Sequence, residues 1–348
     1  AQCIAQPGIT FVTGDARPTS GGAMCRITGS NLMPNPLGPA PQVFFDATAA
    51  SVLLASNTLI VCLTPVGDGS RVVTVVNGGT SNGVGYTYDA PVITALSPAT
   101  GGPIAGGFTL GIGGSNFGAS PTVRIGGAAA TIVSATHTII QCIVPAGLGT
   151  DKDVAVTDAG QNSTGGPKFS YAGPTIQIIT PSSGPGAAGG TMGIQGMSLG
   201  LAGKPQQPVV TIGGQTATLV SVDPALVRVQ IPSGSGTNLP VVITRAGQTA
   251  TAGVAFSYNA PFLNNINPPS GSTAGGYPAT ITGANFGPTP STSSPSGVMI
   301  GNVPATVVSW SNSSITVTVP PGQGANRTVV VTANGQNSTT LLPFSLLL

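Results

Sequence analysis

Charge is what this 348-residue sequence has least of. Its ten basic and eight acidic residues make up 5% of the chain, against about 25% in an ordinary soluble domain. All eight acids are Asp, and Glu is absent. A formal net charge of +2 over this length cannot neutralise a row of phosphates, which excludes nucleic acid as a partner. Long helices are excluded too: their usual surface formers are scarce, while Gly (52) and Pro (32) recur throughout. Charge-driven disorder does not fit a mean hydropathy of +0.34. No apolar run reaches the ~18 residues of a membrane helix. The apolar end from Leu341 to Leu348 is short and carries Pro343. No initiator Met is present, and Ala1-Gln2-Cys3 reads as the start of a mature secreted chain.

What is there repeats. Length alone suggests two or three domains, but a proline opens each of four units, at Pro7, Pro91, Pro174 and Pro261. Each unit then has a turn ending in a Gly pair, such as Gly21-Gly22 or Gly106-Gly107. An alternating run follows and ends in Gly-x-Asn: Gly29-Ser30-Asn31, Gly114-Ser115-Asn116 and Gly283-Ala284-Asn285, with Gly196-Met197-Ser198 as the variant. Val123-Arg124-Ile125-Gly126-Gly127 recurs as Val210 to Gly214 and Val298 to Asn302, while the first unit departs with Val43-Phe44-Phe45-Asp46-Ala47. A Pro-x-Gly-x-Gly element begins at Pro65, Pro145, Pro232 and Pro320. Three units close on an aromatic pair, Tyr86/Tyr88, Phe169/Tyr171 and Phe256/Tyr258; the fourth closes Phe344-Ser345-Leu346. Runs such as Ile315-Thr316-Val317-Thr318-Val319 have period 2, so each unit reads as about seven short strands. That is the size of an immunoglobulin-like β-sandwich, large enough for its own core.

These elements together resemble IPT/TIG domains, immunoglobulin-like early-set folds of cell-surface receptors, secreted bacterial surface proteins, polysaccharide enzymes and some transcription factors. The likeness runs over about residues 7–348 and is best in the second and fourth units. It implies an all-β chain of four tandem immunoglobulin-like β-sandwich domains in an elongated rod. The expected domains are residues 1–89 (with an N-terminal extension), 90–172, 173–259 and 260–348. The motif specifies a fold and is nearly silent on function, because its Gly and Asn residues shape turns.

Catalysis finds little to work with. His137 is the single His and reads as a turn residue, without a Ser-His-Asp set, a phosphate loop or an HExxH motif. Asp151, Asp153 and Asp158 are the densest acids; a weak Ca²⁺ site and a solvated turn are the two readings, and the turn asks for less. No enzyme activity, cofactor or metal is expected.

Cysteine placement is more informative. Cys25 falls on the second strand of unit one, and Cys62 on the strand expected to face it, so a Cys25–Cys62 disulfide across the core is expected. Cys142 matches Cys62 in position, but unit two has Leu110 where its partner would stand. Cys3 and Cys142 then remain for an interdomain or intermolecular bond. Three pairings are open to four cysteines, and free thiols are the alternative. Sequons occur at Asn162, Asn312, Asn326 and Asn337; unmodified turn asparagines are the plainer reading. Insertions after the Gly-x-Asn turn (Met33 to Gln42, Leu199 to Pro208, Pro288 to Gly297) read as tolerated loops or as a contact face. Trp310, the single Trp, reads equally as a sugar-stacking contact or as core.

Joints of two residues between units favour a stiff array. A surface with few like charges leaves copies free to approach one another. The expectation is a secreted, non-catalytic structural protein, a subunit of a filament, appendage or surface layer that associates with its own copies. The alternatives are a cell-surface adhesion or glycan-binding module, and the non-catalytic part of a larger secreted enzyme. Expected partners are other copies of the chain and, in the alternative, glycans or cell-surface components, with no transmembrane segment.

Overall fold

The computed structural model describes residues 5–347 except Pro34, Pro36, Thr292 and Ser293. Among these residues every regular element is a β-strand, and no helix is long and apolar enough to cross a membrane. The chain divides into two compact units, Ala1–Ala172 and Gly173–Leu348, with two sandwiches in each.

The first sandwich sets the pattern. Its strands are β1 (Gly8–Gly14), β2 (Met24–Ser30), β3 (Gln42–Phe45), β4 (Thr48–Ala55), β5 (Leu59–Leu63), β6 (Ser70–Val76) and β7 (Val84–Thr87). They pair in the order β1-β2-β5-β4-β3-β6-β7. β4 starts against β3 and finishes against β5, with a bulge at Leu53, so one strand serves both layers. Period 2 sorts the side chains: on β2, Cys25 and Ile27 point inward while Met24, Arg26 and Thr28 stay exposed. The inward set of β2 and β5 meets Val43, Phe45, Val73 and Val75 from the other layer in one buried cluster. The other three sandwiches keep the order of the first six strands, and the bulge recurs at Val133, Val220 and Val308.

Two repeated motifs acquire a physical reason. Tyr88, Tyr171 and Tyr258 donate their hydroxyls to the carbonyls of Pro65, Pro145 and Pro232 at 2.8 Å each. The ring packs against the Gly of Pro-x-Gly; a Cβ on Gly67 would stand 2.7 Å from Tyr88 carbons. The paired aromatic meets that ring edge-on, with centroids 5.0–5.2 Å apart in the three domains. So Pro, Gly and Tyr form one locking corner. The fourth domain keeps its Gly322 and seats Leu346 there. The departure at Asp46 is of the same kind: its φ of 49° puts it in the left-handed seat held by Gly126 (56°), Gly213 (58°) and Gly301 (60°). Asp is among the few residues that tolerate this region.

Candidate functional site

The side chains that converge most are at the joints inside each unit. In the first unit, the Asn116 carboxamide oxygen accepts the Thr19 backbone N–H (3.3 Å), and its amide nitrogen donates to the Ala90 carbonyl (3.4 Å). The Thr19 hydroxyl and His137 Nδ1 are 2.8 Å apart. Gln161 Nε2 donates to the Tyr88 carbonyl at 3.0 Å. The second unit repeats the device. Asn285 accepts the Gly186 N–H (3.2 Å) and donates to the Ala260 carbonyl (3.4 Å). Gln336 donates to the Tyr258 carbonyl (3.1 Å) and accepts the Gly236 N–H (3.0 Å). Asn116 and Asn285 sit at φ 60° and 63°. The left-handed turn that the Gly-x-Asn motif makes is therefore also what aims its side chain at the preceding domain. Sequence reading treated this Asn as a turn former. The contact with the linker carbonyls of Ala90 and Ala260 is made across 26 and 25 residues of sequence, so no local signal pointed to it.

The joint also claims two residues read as surface positions. The carbonyls of His137 and Asn312 accept the Phe117 and Phe286 N–H groups, so the two occupy matching turns. Asn312 Oδ1 accepts the Gly287 N–H (3.1 Å) and lies 2.9 Å from where a Cβ on Gly186 would be. The side chain of this sequon thus points into the joint. Asn162, Asn326 and Asn337 are exposed. Among the described residues the hydrogen-bond partner of the His137 ring is the Thr19 hydroxyl. Asp151, Asp153 and Asp158 do not converge. Asp153 is exposed and paired with Lys168 at 2.6 Å, whereas Asp158 is buried, accepts the Ser120 N–H (3.4 Å), and has its carboxyl pushed up by burial.

One expectation changes in position, and the open readings of Trp310 and of the Pro288–Gly297 insertion narrow. Cys25 and Cys62 are direct neighbours on β2 and β5 of one sheet, not on facing layers. They are side by side because β5 follows β2 in the sheet order. Both are buried free thiols. A hydrogen bond with Cys62 holds the Cys25 thiol below its usual value and pushes Cys62 up. Cys142 faces Leu110 in register, and burial pushes it up to about 11; Cys3 lies outside the described residues. Trp310 is core: it is 8% exposed, donates its indole N–H to the Phe286 carbonyl at 3.1 Å, and meets the Phe286 ring edge-on. Its place at the end of a strand put it beside the turn in sequence, but the chain folds that turn over it. The described residues of the Pro288–Gly297 insertion are tied down at both ends, through Thr289 to the Trp310 carbonyl and Ser296 from the Asn334 N–H. They also close a cleft of about 410 Å³ against Gln215, Ser233 and Tyr258.

The profile of the IPT/TIG domain matches four times, at residues 9–88, 91–171, 174–258 and 261–346. Among curated proteins, mouse fibrocystin-L is 28% identical over 295 residues, 81% of this chain and 7% of the relative. Human fibrocystin-L is 31% identical over 240 residues, 67% of this chain and 5% of the relative. Rat plexin-B3 is 33% identical over 115 residues, 32% of this chain and 6% of the relative. The chain thus spans less than a tenth of the length of these relatives.

Proposed function

The chain belongs to the IPT/TIG domain family, as four domains in tandem, and on that premise we propose that it is an extracellular, non-catalytic structural segment whose copies associate with one another. The observation that carries this reading is the surface. Only 5% of residues are charged, and large apolar side chains such as Phe11, Met24, Leu53, Val133, Val220 and Val308 stand between 56% and 65% exposed. Few like charges hold copies apart, and exposed apolar strand positions favour contact. Fibrocystin-L and plexin-B3, as relatives, support a module of large surface proteins. Domains locked pairwise by Asn116 and Asn285 suit a structural part better than a moving one. Sedimentation velocity of the purified chain over a wide concentration series tests the reading, with electron microscopy of the concentrated end. The expected result is a sedimentation coefficient that rises with concentration, and ordered assemblies on the grids. A chain that stays monomeric throughout overturns it.

A second reading, recognition of an oligosaccharide, is favoured by the hydroxyl-lined cleft of the second unit. It ranks lower because Trp310 is buried and offers no ring for stacking. Binding on a glycan array that is lost on filling the cleft with Ser233→Trp would promote it.

A further inference from the structure

The four domains carry the same sheet, so each is a control for the others. On the outer face of β1-β2-β5-β4 in the first domain, the outward apolar residues are Phe11, Met24, Leu54, Leu59, Val61 and Leu63, interleaved with Thr13, Arg26, Thr28 and Ser51. Register places them there: Phe11 and Leu59 flank Thr28, Val61 lies between Arg26 and Leu54, and Leu63 pairs with Met24. Phe11, Met24 and Leu54 are 65%, 60% and 58% exposed. In the fourth domain the same strand order and the same two bulges put Asn265, Pro278 and Ser309 at the positions of Phe11, Met24 and Leu54. Ser314, Thr316 and Thr318 take those of Leu59, Val61 and Leu63. The third domain also has polar residues there, among them Arg228 and Gln230. The second domain keeps Ile139 and Ile143 at the positions of Leu59 and Leu63, and the third keeps Ile178 and Leu226 at those of Phe11 and Leu59; the fold therefore does not require these positions to be apolar, and only the first domain makes all six so. A cluster of this kind on a monomer marks an interaction surface.

The occupant is set by charge and by area. Arg26 lies in the middle of the face, between Thr13 and Val61, and Asp15 follows directly on the end of β1. Among the described residues neither takes part in an ion pair. One positive group on the face and one exposed negative group just past its edge are self-complementary. A two-fold axis through the face brings Arg26 of each copy toward Asp15 of the other, as an isologous contact requires. Four strands of about five residues give a face of roughly 300 Å² in outline, short of the ~800 Å² per partner of a standard stable interface. The contact is then weak on its own and adds up when many copies line up.

We propose that the outer sheet face of the first domain is the surface through which the chain pairs with a second copy of itself, apolar to apolar, with Arg26 and Asp15 exchanged across a two-fold axis. The proposal rests on the self-association reading above and names its surface. Its test borrows residues from the fourth domain. The whole chain carrying Leu54→Ser, Val61→Thr and Leu63→Thr is compared with the unaltered chain by sedimentation velocity across concentration. The midpoint of association is expected to move upward at least tenfold. A separate pair of variants follows the charges: Arg26→Asp alone weakens association, and Arg26→Asp with Asp15→Arg restores it. Association that is unchanged in the triple variant overturns this face while leaving self-association standing. Failure of the charge exchange to restore association overturns the two-fold arrangement. A chain that never associates overturns both readings, and association with an added unrelated acidic protein instead of a copy overturns the choice of partner.

Discussion

Gly67→Ala in the first domain and Gly322→Ala in the fourth place the same methyl group in the same corner, and the two should differ. In each case a Cβ stands 2.7 Å from its neighbour: Tyr88 ring carbons in one, the Leu346 Cδ1 in the other. Neither glycine has a positive φ, so the backbone accepts Ala, and the loss of unfolded-state freedom favours it by about 0.4–1 kcal/mol. The neighbours decide the sign. Tyr88 is 1% exposed, held by its hydroxyl on the Pro65 carbonyl and by the edge of Tyr86. Moving that ring costs roughly 1–3 kcal/mol of overpacking and strains a hydrogen bond of about 1 kcal/mol. Leu346 can rotate a terminal methyl aside. Gly67→Ala should therefore destabilise its domain by about 1.5–3 kcal/mol, and Gly322→Ala by close to zero. For a domain of this size each kcal/mol moves the midpoint by roughly 4–8 °C, so calorimetry should show one component falling by roughly 6–24 °C in the first variant only. Adding Tyr88→Leu, the residue type that the fourth domain uses, should recover part of the loss in Gly67→Ala. Equal shifts in the two single variants, or no recovery, would refute the account of the corner.

Alkaline titration should unfold the chain for a related reason. Burial pushes Tyr88 and Tyr258 up to about 12 from the ordinary 10.0. A raised pKa means that the folded state holds the proton more tightly, so this stability is complete below pH 10 and lost as pH rises toward 12. Circular dichroism against pH checks it, and Tyr258→Phe should flatten the third domain's share. Expressed in a host that N-glycosylates, the chain should carry glycan at Asn162, Asn326 or Asn337 and none at Asn312, because the latter side chain points into the joint; peptide mass mapping reads this directly. Mild oxidation should join Cys25 to Cys62, which lie opposite one another on adjacent strands, while Cys142 stays slow toward alkylating reagents at neutral pH because burial holds its thiol protonated. Asn285→Ala should remove about 1 kcal/mol from the joint of the second unit and raise hydrogen exchange at the Gly186 amide, leaving the cores untouched.

The fold was legible because its rules act within one domain. Alternation in Ile315-Thr316-Val317-Thr318 gives a strand with Ile315 and Val317 inside. A Gly or Asn at a fixed offset gives the turn. Pro, Gly and Tyr at fixed spacing give the corner. Even the apparent exception at Asp46 obeyed the same requirement of a left-handed backbone. Trp310 was not legible, since alternation fixes which face a strand residue takes only while the ladder is regular, and the bulge at Val308 lies two residues before it. The Cys25–Cys62 geometry was half legible: their positions along the strands follow from the repeat, but strand order, which makes them neighbours, does not.

The joints failed to show in sequence for a different reason. A repeated Asn offers two explanations, a turn and a contact, and one domain alone supplies only the first. Asn116 and Asn285 need their own domain for the left-handed turn and the preceding one for the hydrogen bond to Thr19 or Gly186. The two roles are one conformation, so a substitution kept for the turn, such as Asn to Gly, would keep the fold and lose the lock. The outer face of the first domain follows the same logic in reverse. The fold does not need its six apolar residues, since the fourth domain builds the same sheet with Asn265, Pro278, Ser309, Ser314, Thr316 and Thr318. What a tandem array repeats is what the sandwich needs; where one copy departs without a structural reason, as at Leu54 and Val61, against Ser134 and Gln141, Ser221 and Arg228, or Ser309 and Thr316 in the others, the departure belongs to a contact with something outside that domain.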